Sequence, residues 1–304
     1  MTRRGWVLFG AMSLLWGTPY LFIKIAVVEI EPTFMVFARL AMSAVVLVPL
    51  AIGRGSLRGT GNHWPILVAI AVFSIVVPFL LIAYGERYIT SSLAALLIAA
   101  DPLFIVLLAL RFDASERATR WRFVGLLVGF VGVAALLGLS VSGDPLEVLG
   151  AAMALGAALC YAVGALLFKQ ASGVPPLGAT AVTLSTAGLV LMPVALLNVP
   201  RSMPSPPVLV SLFTLGLVCT ALAYVIYYAL IREAGATRAA LITYVNPAVA
   251  VVLGVLILGE PVTLGTIVGF VLIIIGCALS TSRQPPRYVS ALWRPLASTS
   301  DWRR

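Results

Sequence analysis

Residues Tyr20–Val28 read YLFIKIAVV, and Lys24 is the only charged residue between Gly5 and Val28. The other lysine of the chain, Lys169, closes the run YAVGALLFKQ, Tyr161–Gln170. Each ends an apolar stretch long enough to cross a bilayer, which takes about 20 predominantly apolar residues. The rest of the chain has the same character. Of 304 residues, 61% are hydrophobic and 10% charged, against about 45–50% and about 25% in soluble domains. Mean hydropathy is +1.09. So few charges cannot coat a water-soluble fold of this size, and the composition defines an integral membrane protein. The net charge of +9 would suit a nucleic acid only as a basic face on a soluble domain. Here it reads as a topology signal: the lipid bilayer is the expected partner, and no nucleic acid is. Cys160, Cys219 and Cys277 all lie in apolar runs, without metal spacing or a disulfide framework.

Ten apolar runs follow one another, at 5–28, 33–52, 64–84, 90–110, 121–140, 148–168, 178–198, 207–231, 237–258 and 262–281. Their uniform length and lack of alternation make them transmembrane helices, so the fold class is all-α. The opening MTRRGWVLFGAMSLLWG imitates a signal peptide, but its run is too long and shows no small-residue cleavage site. It is read as the first helix. With the N-terminus in the cytoplasm, sixteen of the twenty Lys and Arg residues fall on the inner side. Only Arg87 and Arg201 fall outside, with Lys24 and Arg39 inside spans. This asymmetry orients the chain: a multi-pass protein of the plasma (cell) membrane with cytoplasmic N- and C-termini. Residues 282–304, basic and proline-bearing without periodicity, are expected to form a flexible cytoplasmic tail. Its arginines, with Trp293 and Trp302, would touch the anionic leaflet.

Lys24 and Lys169 lie 145 residues apart, and that shift aligns the two halves of the chain. Trp16 falls on Tyr161 and Pro102 on Pro247, while SLAALLIAADPLFIVLLAL (Ser92–Leu110) overlies TRAALITYVNPAVAVVLGV (Thr237–Val255). After one deletion the shift becomes 144, which places Glu116 on Glu260 and Gly125 on Gly269. The chain is thus a duplicated five-helix unit, residues 5–140 and 147–281. Five is odd, so the second copy enters the membrane from the opposite side. Ten transmembrane helices as two inverted five-helix repeats are expected. Inverted repeats build secondary transporters, with the solute site near the midplane between the repeats.

Three of these stretches also carry a resemblance. LLWGTPYLFIK, RYITSSLAALLIAADPLF and LILGEPVTLGTIVGFVLIIIGC resemble signatures of EamA-type members of the drug/metabolite transporter superfamily. They are the Trp-Gly then Lys of helix one, the small residues leading to a proline in helix four, and the Leu-Gly-Glu joint between helices nine and ten. The resemblance spans roughly residues 5–281. The first copy departs at the joint: RFDASERATRWRFVG keeps Glu116 without a preceding Leu-Gly. What the resemblance implies is a central cavity lined by helices 1–4 and 6–9, with helices 5 and 10 peripheral. It also implies efflux of small metabolites. It names no substrate; amino acids and other metabolite classes both fit.

Several residues are candidates for the solute site. Pro102 and Pro247 each remove a backbone hydrogen bond and are expected to kink helices four and nine, freeing a carbonyl one turn earlier. Asp101 and Asn246 precede them. Asp101 lies ten residues before Arg111, about 15 Å of helix, and therefore near the bilayer centre, where an ionisable group is a functional candidate. It is read either as a proton-carrying group or as the static partner of Arg39. Arg39, about 9 Å in from the outer end of helix two, has Asp101, Glu31 or Glu86 as pairing candidates, or a substrate carboxylate. Lys24 and Lys169 are either snorkelling anchors or pathway cations. Trp16, Tyr84 and Tyr161 are the aromatic pocket candidates. The glycine pairs Gly125/Gly129 and Gly265/Gly269 permit close helix packing, or a homodimer seam.

The leading functional expectation is a secondary active transporter that exports small organic metabolites by alternating access. A passive exchanger or channel is the alternative. An intramembrane enzyme fares poorly: the lone His63 is in a loop, and neither a zinc motif nor a Gly-x-Ser-x-Gly turn is present. No cofactor or metal motif is read, and the chain has no Walker sequence for an ATP-driven pump.

Overall fold

A computed structural model describes residues 1–112, 119–171 and 173–281, apart from the side chains at 236 and 237. The tail expected over 282–304, and Glu116 with its loop, lie outside the described residues. Among the described residues the regular structure is entirely helical. In chain order the long helices are α1 (Arg3–Ala26), α2 (Pro32–Gly53), α3 (Thr60–Gly85), α4 (Ser91–Phe112), α5 (Arg120–Ser140), α6 (Pro145–Gln170), α7 (Pro176–Leu197), α8 (Pro206–Ala234), α9 (Ile242–Leu258) and α10 (Leu264–Thr281). All but α9 are long and apolar enough to cross a membrane. Exposed Leu14, Val45, Leu197 and Leu256 belong to an apolar exterior suited to lipid.

The expected ninth span, 237–258, is shortened. Ala236–Ala239 is a separate turn and α9 begins at Ile242. In the first turn of α9, Thr243 and Tyr244 bond back three residues, to Ala240 and Leu241 (3.2 Å each), and this tighter winding interrupts the α-helical ladder.

Side chains tie the helix ends into two sets. At one end Glu29 accepts from the Ser205 amide (2.8 Å) and hydroxyl (2.6 Å) at the start of α8. There too Gly85, ending α3, meets the backbone of Gly150 in α6. At the other end the Thr2 hydroxyl donates to Glu233 (2.6 Å), and Gly178 of α7 abuts the Ser56 carbonyl after α2. The first is the acid-rich end, with Glu29, Glu31, Asp144 and Glu147; the second is the arginine-rich end, with Arg3, Arg4, Arg54 and Arg232.

The joint LGEP is where glycine is required. Gly259 takes a left-handed φ of 68°, ending α9 and reversing the chain. The next residue, Glu260, reaches α4: its carboxylate accepts from the amides of Ser91 (2.7 Å) and Ser92 (3.0 Å) and from the Ser92 hydroxyl. Those amides are the orphan donors of a helix N-terminus, and a carboxylate there also meets the positive end of the helix dipole.

α5 and α10 pack chiefly on each other. A Cβ on Gly125 or Gly276 would collide with backbone of the facing helix, as would one on Gly132. The glycines read as a packing or dimer seam are thus consumed inside the chain.

Candidate solute site

Proline and π-helical turns interrupt the helices that surround the centre. In α1, Pro19 cannot bond the Leu15 carbonyl, and the helix breaks at Thr18. The Thr18 hydroxyl covers that carbonyl (3.4 Å) and meets Cys219 Sγ of α8 at 3.3 Å. In α4 the break falls at Ala99–Ala100, directly before Asp101 and Pro102; the Ala99 carbonyl receives the Cys277 thiol of α10 at 3.6 Å. The kink expected at Pro102 is therefore a full interruption. Pro247 differs: it is carried inside the continuous α9. Its neighbour Asn246 aims one side-chain amide atom at the carbonyls of Ser13 (3.3 Å) and Ile242 (2.9 Å), two acceptors that assign that atom as the donor nitrogen. The Asn246 backbone crosses α1 at Gly17, where a Cβ has no room.

α3 and α8 each contain a π-helical turn, Val72–Val76 and Thr214–Leu222. Such turns leave backbone carbonyls without their usual partners and recur at functional sites. In α8 hydroxyls fill the gap: Thr220 donates to Leu215 O (2.7 Å), and Ser43 of α2 donates to Gly216 O (2.9 Å). Neither turn was visible in the sequence.

This construction fixes Arg39. The side chain is 7% exposed. Its Nε donates to Thr220 Oγ1 at 2.8 Å, and its guanidinium lies 4.2 Å from the centre of the Phe79 ring of α3. Among the described residues Nε alone of its nitrogens is hydrogen-bonded, and no carboxylate pairs with it. The static Arg39–Asp101 pair is not formed. Asp101 Oδ1 is buried without a hydrogen-bond partner. Tyr20 and Tyr161 lie within electrostatic reach of both Arg39 and Asp101, and Tyr224 of Arg39. A held guanidinium fork, a buried carboxyl and three tyrosines thus gather between the helices.

The other candidates fall around this group. Trp16 packs on Tyr227 (4.8 Å between ring centres) and edge-on to Tyr224 (5.8 Å), in an aromatic cluster between α1 and α8. Tyr84 is nearer the acid-rich end, where its hydroxyl bonds Thr33 of α2 (3.0 Å) and Glu31, which caps that helix. Lys24 donates to the backbone carbonyls of Glu86 (2.5 Å) and Ile89 (2.8 Å), clasping the turn between α3 and α4. Lys169 is exposed on the last turn of α6, so the two lysines stand in unlike surroundings. Sequence reading passed over Thr220 and Ser43, which hold the arginine and the opened α8 backbone. Glu86, a pairing candidate for Arg39, lies in the turn after α3 with its side chain wholly buried.

Long apolar helices inside an apolar exterior define a multi-pass membrane protein. Residues 3–138 and 148–282 match the EamA-like transporter family, and the chain belongs to it. It is 23% identical to "Uncharacterized transporter YvbV" of Bacillus subtilis, over 94% of each chain. With "Uncharacterized inner membrane transporter YedA" of Escherichia coli K12 it shares 28% identity over 83% of each. A solved crystal structure matches with a TM-score of 0.65 and 20% identity, covering 92% of this chain and 97% of the other; that likeness concerns the fold. Family and relatives point to a transporter rather than an enzyme.

Proposed function

We propose that the chain is a secondary carrier that exports small zwitterionic metabolites of the amino-acid kind across the plasma membrane by alternating access. The carrying observation is Arg39: Thr220 and Phe79 hold it in place, and among the described residues no carboxylate pairs with its outer fork. A planar fork of this kind binds a carboxylate through two parallel hydrogen bonds. Asp101, across Tyr20 and Tyr161, supplies the opposite charge for a substrate ammonium. Trp16 and Tyr224 offer the apolar wall.

Ten crossings in two inverted repeats are part of this reading, and several contacts support it. The 145-residue shift lays the π-helical turn of α3 on that of α8. It also lays Ser74 of α3 on Cys219 of α8; Cys219 meets α1 at Thr18 and Ser74 meets α6 at Gly164, partners that lie one position apart under the same shift. Tyr84 with Thr33 joins α3 to α2 at the acid-rich end, and Tyr228 with Thr180 joins α8 to α7 at the arginine-rich end. Alternating access requires one such closure on each side of the site. The same shift puts Leu184 at the position of Arg39, so the site has a single guanidinium and solute orientation is fixed. The arginine-rich end faces the cytoplasm by the positive-inside rule, which places both termini there.

Counterflow of a labelled amino acid in liposomes tests the proposal. Saturable exchange that Arg39→Gln abolishes supports it; non-saturable leak, or exchange untouched by Arg39→Gln, contradicts it.

A further inference from the structure

Glu86 directly follows α3, and its side chain is 0% exposed with neither carboxylate oxygen hydrogen-bonded. Charged and titratable groups face it from every side: Lys24 and Tyr20 from α1, Arg39 from α2, and Glu260 from the joint of α9 and α10. None bonds it. Lys24 uses two of its three N–H donors on the backbone carbonyls of Glu86 and Ile89. Arg39 is held by Thr220, and Glu260 by Ser91 and Ser92. Taking an ion out of water without a partner costs several kcal/mol. Burial holds this carboxyl well above the usual carboxylate range, with Lys24 acting in the opposite sense.

A cavity of about 170 Å³ opens at the acid-rich end, lined in part by Lys24, Ile89, Thr90, Ser92, Glu147 and Thr263; Glu86 does not line it, and Lys24 stands between the two. Lys24 therefore lines a cavity large enough for water and also bonds the backbone of the buried acid.

We propose that Glu86 is a proton-binding site of the carrier, loaded and emptied through this cavity, and that Lys24 answers its change of charge. On deprotonation the carboxyl O–H gives its proton to cavity water. Lys24 keeps its own protons, so the pair goes from one net positive charge to none. The ammonium is then drawn from the carbonyls of Glu86 and Ile89 to the carboxylate. Those two bonds are what tie Lys24 to the turn between α3 and α4, so proton release loosens the closure at that end. The transport consequence rests on the carrier reading above; the proton site does not.

The test is infrared spectroscopy of the purified, lipid-reconstituted protein through a pH titration without solute. A protonated carboxylic-acid carbonyl band should fade on alkalinisation, vanish in Glu86→Gln and persist in Asp101→Asn. In Lys24→Met, which removes the opposing cation, the fading should move to higher pH. A full band in Glu86→Gln, or an unmoved titration in Lys24→Met, would overturn the assignment; the second arm serves should Glu86→Gln fail to fold. In liposomes, Glu86→Gln should lose all stimulation of solute exchange by a proton gradient. Retained stimulation would refute the coupling. Absence of exchange in the parent protein would instead refute the carrier reading and leave the infrared result to decide the proton site.

Discussion

Arg39 and Thr220, 181 residues apart, are joined by a 2.8 Å hydrogen bond that links α2 to the π-helical turn of α8. The same threonine hydroxyl donates to Leu215 O, so the irregular backbone and the buried charge depend on one side chain. Thr220→Val keeps the shape and removes both bonds. A hydrogen bond to a charged group contributes about 1.5–3 kcal/mol, so apparent solute affinity should fall roughly tenfold or more. Concentration dependence of counterflow checks this, and an unchanged half-saturation value would show that Thr220 does not orient the arginine.

Asp101→Asn keeps the side-chain size and removes the charge. On the zwitterion reading it should weaken exchange of amino acids and spare that of plain monocarboxylates. Equal loss for both classes would mean that Asp101 does not meet the substrate ammonium.

Glu260 caps α4 from a distant part of the chain. Glu260→Ala leaves two helix-end amides without their acceptor. Loss of such a cap costs about 0.5–2 kcal/mol, so the melting temperature in detergent should drop measurably. A melting curve that matches the parent would place this cap outside the energetics of the fold.

The seam of α5 and α10 gives a contrast between glycines. Gly276→Ala forces a Cβ into the Gly129 backbone, and overpacking of this kind costs about 1–3 kcal/mol. Gly138→Ala, on the same pair of helices, has nothing within 4 Å of its new methyl and should be neutral or slightly stabilising. Thermal unfolding of the two variants should separate them; similar curves would contradict the packed seam.

Helices were legible in the sequence wherever burial in lipid demands a long apolar run, since nothing else sustains one. The glycines of α5 and α10 were legible as a packing face for the same local reason. α9 was misjudged in length, because the turn at Ala240 follows from three-residue backbone bonds that no composition marks. The site was harder to read. Arg39 and Asp101 looked like a pair on charge alone, yet the partner that holds Arg39 is a neutral hydroxyl on α8, presented by a π-helical turn. That turn depends on Ser43 and Thr220 reaching carbonyls in three dimensions. Lys24 could be read as an anchor or as a pathway cation, and its hydrogen bonds to the Glu86 and Ile89 carbonyls, in a turn more than sixty residues away, carry no mark in the local sequence.

Side assignment rests on the arginines and is open to direct labelling. In a background without Cys160, Cys219 and Cys277, Ser202→Cys should react with an impermeant thiol reagent added outside, and Asn62→Cys only after the cytoplasmic face is opened. Both positions are exposed. Outside labelling of Asn62→Cys would reverse the orientation and with it the direction assigned to transport.

The claim that Arg39 receives a substrate carboxylate is tested most directly by equilibrium binding to the purified protein. A labelled amino acid would be compared with the amine left when its carboxylate is removed, on the parent chain and on Arg39→Gln. The parent should bind the amino acid at least about tenfold more tightly than the amine, the effect of one charge-assisted contact. Arg39→Gln should bind both equally and weakly. Undiminished preference for the amino acid in a folded Arg39→Gln protein would contradict the claim.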